Sequence, residues 1–220
     1  MSHTRIKICG IRDVNAARAA VDAGADAIGL VFVQASPRYV SLDAARAIVA
    51  ALPPFIEPIG LFVDEPADHI RRACQSVGIH SVQLHGKESI DFARHLNDFR
   101  VIKAVSLEED HHKTWLTHMR PRHVIGLLVD APAPADAGKM TGGSGRSFDW
   151  SAVNSLDRAS LPPLILAGGL TPENVGEAIR VARPYAVDVS SGVESSRGVK
   201  DVQMIRAFCD AVRTADAARQ

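Results

Sequence analysis

The chain has 220 residues, 46% hydrophobic and 23% charged, enough to bury one sizeable core in a single domain. Lysine plus arginine equals aspartate plus glutamate at 25 each, so no global basic field collects nucleic acid or an anionic membrane, and any anion must be gripped locally. The start, MSHTRIKICG, lacks a long apolar run, nothing approaches about 18 uninterrupted apolar residues, and the three cysteines form no CxxC pair; this disfavours secretion, membrane spanning, a disulfide framework and a thiolate zinc site, and the cytoplasm is expected.

Short β-rich runs recur at Ile6 to Cys9, Ala27 to Phe32, Ile56 to Val63, Ser81 to Leu84, Arg100 to Val105, Val124 to Val129, Pro163 to Ala167 and Ala186 to Val189. Helix-like stretches alternate with them: Val14 to Ala23, Leu42 to Ala51, Pro66 to Ser76, Ser89 to Leu96, Glu108 to Met119, a weaker piece at Trp150 to Leu156, Pro172 to Val181, and Val199 to Val212. Ser41 caps SLDAARAIVAALPP, which ends in prolines, and TPENVGEAI offers Thr171 as a cap with Pro172 at the first helical position. Eight strand–helix repeats without a linker predict an α/β fold, a single-domain (β/α)8 TIM barrel over residues 1–220, with a frayed tail from about 214. A doubly wound open sheet is the competing topology, but CGIRD in the first turn is no GxGxxG.

In a barrel, chemistry sits at the carboxyl ends of the strands. Those ends hold Cys9, Ser36 to Arg38, Asp64, His85, Asp130, AGG after the seventh strand and DVSSG after the eighth. Alternation puts Ile6 and Ile8 toward the helices and Arg5, Lys7 and Cys9 on the other face, with Lys7 one layer below Cys9. An ammonium there favours the thiolate while burial opposes it. Gln83 and His85 share a face, as do Leu128 and Asp130, and Asp188 and Ser190.

Three glycine-rich turns come late: GKMTGGSGRSFDW, AGGLTPENV and DVSSGVESSRGVKD. Glycine lets backbone N–H groups approach an anion closely, and the loops after strands seven and eight are where such barrels hold phosphate. The candidate phosphate ligands are Gly143, Gly145, Gly168, Gly169, Ser190, Ser191 and Gly192.

KICGI, GLVFVQASPRYV, VQLHG, GGSGRSFDW, LAGGLTPENV and VDVSSGVESSRGVKD together resemble the phosphoribosylanthranilate isomerase family of tryptophan biosynthesis, in order from Lys7 to about Asp201. The resemblance implies an aldose–ketose isomerase, a monomer or homodimer without metal or cofactor, that rearranges N-(5-phosphoribosyl)anthranilate to 1-(2-carboxyphenylamino)-1-deoxyribulose 5-phosphate. Its partner is a small phosphorylated substrate, with no nucleic acid or membrane. The resemblance makes Asp130 the general acid and Cys9 the general base, and Arg38 the arginine facing the anthranilate carboxylate. His85 and Asp188, inward at the mouth, are candidates for orienting the substrate.

Plainer readings stand beside these. Cys9 alone reads as core filler, Asp130 as a turn cap before APAPAD, Arg38 as a surface ion pair, and Lys7 as a partner for a carboxylate such as Asp188. Cys74 and Cys209 fit helix core positions, and His111, His112 and His118 fall on a polar helix that reads as a solvated face rather than a metal site. Two rival functions remain: another phosphosugar barrel, such as an isomerase of histidine biosynthesis, which would want aspartates at strands one and five, and a non-catalytic anion-binding barrel or thiol redox sensor, which would want a resolving cysteine near Cys9.

Overall fold

The computed structural model describes residues 3–107, 113–117, 121–131 and 149–219. Eight parallel strands close in chain order: β1 (Arg5–Cys9), β2 (Ala27–Val31), β3 (Glu57–Phe62), β4 (Ser81–Leu84), β5 (Arg100–Val105), β6 (Val124–Val129), β7 (Leu164–Leu166) and β8 (Ala186–Val189). Closure is made by β8 pairing β1, with Lys7 opposite Asp188, and this eliminates the open sheet. The described helices are α1 (Val14–Asp22), α2 (Leu42–Ala50), α3 (Ala67–Val77), α4 (Ile90–Arg94), α5 (Lys113–Thr117), α6 (Val175–Ala182) and α7 (Val202–Ala217). No helix among the described residues is long and apolar enough to cross a membrane.

Two apolar layers follow from strand alternation. Ile6, Ile8, Ile28, Leu30, Val82 and Leu84 pack outward against helix residues such as Ile48, Ile70 and Ile205. Ile59, Ile102, Ala104, Leu128, Ile165, Ala167 and Ala186 form the separate inner cluster. The inside of the barrel is therefore a packed plug, and polar side chains collect above it.

Several boundaries differ from expectation. Trp150–Ser155 is a 3₁₀ helix, not a sixth α-helix; WSAVNS has little helical propensity, and Asp149 bonds the Ser151 N–H. Thr171 does not cap α6. The Asn174 amide accepts the Thr171 N–H at 2.8 Å and donates to the Gly169 carbonyl at 2.9 Å, so TPEN is a turn and the helix starts at Val175. The helix expected from Val199 begins at Val202, capped by Asp201. Before it lies an antiparallel hairpin, β9 (Glu194–Ser196) and β10 (Val199–Lys200), turned by Gly198 at φ +84. At the other end α7 is helical through Ala217 rather than frayed from about 214. Asp216 there accepts both the Thr4 N–H and hydroxyl at 2.7 Å, tying the last helix to the entry of β1.

Candidate active site

Cys9 is the last residue of β1 and only 5% exposed. Gly29 beside it on β2 makes room for the thiol, since a Cβ at that position would lie 2.6 Å from Sγ. One layer down, Lys7 Nζ meets Asp188 Oδ1 of β8 at 2.8 Å, with both side chains buried. The plain reading of Lys7 thus holds, and the ammonium still acts on the thiol. Burial pushes the Cys9 thiol above its ordinary value; Lys7 and Lys200 pull it down and Asp188 pushes up, and burial wins. Burial likewise opposes the Lys7 charge, but Asp188 and Cys9 hold the ammonium above its ordinary value.

Across the mouth, the Gln83 amide Nε2 lies 2.8 Å from His85 Nδ1, and His85 Nε2 lies 3.3 Å from Asp130 Oδ2. The roles follow the tautomer: a neutral ring with its proton on Nε2 accepts from Gln83 and donates to Asp130, and one with its proton on Nδ1 leaves Nε2 to accept from a protonated Asp130. The other Asp130 oxygen takes the Ala131 N–H at 2.8 Å. Gly168, at φ +80, clears this corner, because a Cβ there would stand 2.7 Å from Ala131 N and 3.2 Å from Asp130 Oδ1.

The loop carrying His85 rests on a buried ion pair that sequence reading missed. Lys103 of β5 donates to Glu88 Oε2 at 2.9 Å and to the Gly86 carbonyl at 2.6 Å, while Glu88 accepts N–H groups from Asp64 and Gly86. Lys103 and these N–H donors outweigh burial and hold the Glu88 carboxyl below its usual range.

Arg38 is 6% exposed, so it is not a surface pair. Its Nε and Nη2 grip Glu194 Oε1 and Oε2 at 2.7 and 2.9 Å, a two-pronged contact that sequence reading also missed. Burial works against the Glu194 charge, yet Arg38, Lys200 and the Gly198 N–H bring its carboxyl down to about 2.

Cys9, Arg38, His85, Asp130, Gly168, Gly169, Asp188, Ser190 and Ser191 line one solvent-open cavity at the mouth of the barrel. Gly192 stands behind this wall, pressed on the β7 loop so closely that a Cβ would meet the Leu170 carbonyl at 1.9 Å. Gly143, Gly145, His111, His112 and His118 lie outside the described residues. Cys74 and Cys209 belong to the layer between helices and sheet, separate from the mouth cluster of Cys9, and burial pushes them up to about 12 and about 11. Neither is placed to resolve an oxidised Cys9, which removes the support for a redox sensor.

A thiol, a carboxyl group and an imidazole above a barrel plug, with glycine and serine turns between Asp130 and Cys9, make this a (β/α)8-barrel enzyme equipped for acid–base chemistry on a small anionic substrate. A family model described as "N-(5'phosphoribosyl)anthranilate (PRA) isomerase" matches residues 6–211. A relative named N-(5'-phosphoribosyl)anthranilate isomerase from Geotalea daltonii is 45% identical over 93% of this chain and 94% of its own. The solved phosphoribosyl anthranilate isomerase of Thermotoga maritima superposes with a TM-score of 0.83 at 39% identity, covering 96% of this chain and 99% of that one. A further isomerase structure, in complex with reduced 1-(o-carboxyphenylamino)-1-deoxyribulose 5-phosphate, gives 0.81 at 38% identity, covering 96% and 99% of the two chains. The chain belongs to the N-(5'-phosphoribosyl)anthranilate isomerase family.

Proposed function

We propose that the chain converts N-(5-phosphoribosyl)anthranilate to 1-(2-carboxyphenylamino)-1-deoxyribulose 5-phosphate in tryptophan biosynthesis, with Asp130 as acid and Cys9 as base. The observation that carries the assignment of roles is that Cys9 and Asp130, from strands β1 and β6, line the same cavity beside the glycine and serine turns of β7 and β8.

Asp130 gives its proton to the furanose ring oxygen, the C1′–O bond breaks and the nitrogen lone pair forms a Schiff base. The cationic imine acidifies the C2′ hydrogen. Cys9 as thiolate removes that hydrogen, the electron pair moves into the C1′–C2′ bond to give an enolamine, and tautomerisation yields the aminoketose. The enolamine gains a proton at C1′ and loses the one on its C2′ hydroxyl, so that, with Asp130 reprotonated and Cys9 deprotonated in turn, no proton or electron is gained or lost overall and an acid and a base suffice. His85 directs Nε2 at Asp130 and so fixes the carboxyl relative to the ring oxygen. Asp188 keeps Lys7 charged beneath the base. Glu194 holds Nε and Nη2 of Arg38 and so fixes the plane of the guanidinium that the substrate carboxylate meets. The phosphate belongs at Gly168, Gly169, Ser190 and Ser191, supported by Gly192 and joined by Gly143 and Gly145. All these groups come from one chain, which accords with a monomer or a homodimer of independent sites, and the three free, buried cysteines accord with a reducing cytoplasm.

The test is direct: purified protein mixed with freshly made phosphoribosylanthranilate is expected to abolish the anthranilate-type fluorescence in a first-order decay. No decay with folded protein overturns the assignment.

A further inference from the structure

The β9–β10 hairpin delivers two charged side chains into the protein at the edge of the cavity. Glu194 and Lys200 are 4% and 2% exposed. Lys200 Nζ donates to Glu194 Oε1 at 2.7 Å and to the Ser190 carbonyl at 2.9 Å, and the Ser190 hydroxyl donates to the Cys9 carbonyl at 3.1 Å. On its other side Glu194 holds the fork of Arg38 and takes the Gly198 N–H at 3.0 Å. The hairpin turn itself is pressed on the segment carrying Arg38: a Cβ at Gly198 would stand 2.5 Å from the Pro37 carbonyl.

Polar contacts therefore run without a gap from Arg38 through Glu194, Lys200 and Ser190 to Cys9. One carboxylate, Glu194, is shared by two buried basic side chains, Arg38 and Lys200. The charged groups acting on the thiol are Lys7 from its own strand, Asp188 from β8 and Lys200 from β10, which reaches Cys9 through Ser190; His85 and Asp130 act on Asp188. Burial, with Arg38, brings Lys200 below its ordinary value, and Glu194 and Cys9 oppose that loss of charge.

We propose that Glu194 and Lys200 are positioning residues of the isomerase site: Glu194 presents Arg38 to the aromatic carboxylate, and Lys200 joins that arm to the ends of β8 and β1 and keeps an ammonium beside the Cys9 thiol. This rests on the assignment of Cys9 and Arg38 made above, and it separates two effects. Lys200 governs the base, and Glu194 governs grip on the substrate.

The experiment measures steady-state kinetics and, without substrate, the pH dependence of Cys9 alkylation by iodoacetamide in the full chain. Lys200→Met is expected to raise the alkylation midpoint by about one pH unit and lower kcat about tenfold, with a smaller change in KM. Lys200→Arg keeps the charge and is expected to return the midpoint toward wild type. Glu194→Gln is expected to raise KM about tenfold, with kcat less affected, because the guanidinium loses its charged partner. A wild-type midpoint in Lys200→Met, an equal rise in Lys200→Arg, or an unchanged KM in Glu194→Gln overturns the proposal. Should Lys200→Met fail to fold, Lys200→Gln, which also removes the charge, is read in its place by the same midpoint, and the KM of Glu194→Gln is read as before. Wild-type protein without turnover overturns the isomerase assignment instead, and the alkylation midpoints are read independently of it.

Discussion

Cys9 concentrates the chemistry of the site at one atom. Strand alternation alone puts it inward above Lys7, and both placements hold because a parallel strand buried on two faces permits only two directions. What no local pattern reveals is the sum of opposing effects on its proton. Enclosure by Val31, Leu61 and Val63 outweighs the two lysines that favour the thiolate, so Cys9 holds its proton more tightly than a free cysteine and the thiolate that acts as base is the minor form. A hydroxyl in that place is a far poorer base. Cys9→Ser is therefore expected to lower turnover by about 10²- to 10⁴-fold with an unchanged circular dichroism spectrum, and Asp130→Asn to do the same by removing the transferable proton. Stopped assays at neutral pH decide the matter; wild-type turnover in either variant removes that residue from the mechanism.

At the level of elements, the strands were readable and the supports of the site were not. Each β-run is a short apolar or alternating segment whose signal is local, and the carboxyl-end residues follow directly from it. Arg38 and Glu194 are 156 positions apart, and Lys103 reaches Glu88 across a strand and its loop, so neither pairing leaves a periodic trace. The hairpin was hidden for another reason: Val199 and Lys200 continue an apolar–polar pattern that reads equally as the first turn of α7, and only Gly198 signals the reversal. Gly192 illustrates how closely these turns are fitted. A methyl group there collides with the Leu170 carbonyl and displaces the β7 loop that carries Gly168 and Gly169. Gly192→Ala is expected to raise KM for the phosphorylated substrate several-fold while kcat changes little, since phosphate binding is shared by ground and transition states. An unchanged KM would place the phosphate elsewhere.

For the molecule as a whole, a net charge of zero conceals an uneven distribution. Buried ion pairs gather at the carboxyl half of the barrel: Lys7 with Asp188, Lys103 with Glu88, and Arg38 and Lys200 with Glu194. Such pairs add little over an apolar packing of the same volume; those whose carboxyl is shifted down, Glu194 and Glu88, make the fold sensitive to acid, whereas burial shifts Asp188 upward. The sign follows from the direction of the shifts. Glu194 is held at about 2 in the folded chain against an ordinary 4.5, and Glu88 is shifted the same way. Their stabilisation is complete above the ordinary carboxylate value and is lost as pH falls through the lowered one. For Glu194 the difference corresponds to about 3 kcal/mol. Urea midpoints of the wild type should hold steady from about pH 8 to pH 5 and fall below that. Glu194→Gln should unfold at lower urea near neutrality, and its gap from wild type should close toward pH 2, where the protonated glutamate and the glutamine are alike in charge. A gap of constant size across that range would mean that the carboxylate at this position contributes shape and not charge to the barrel mouth.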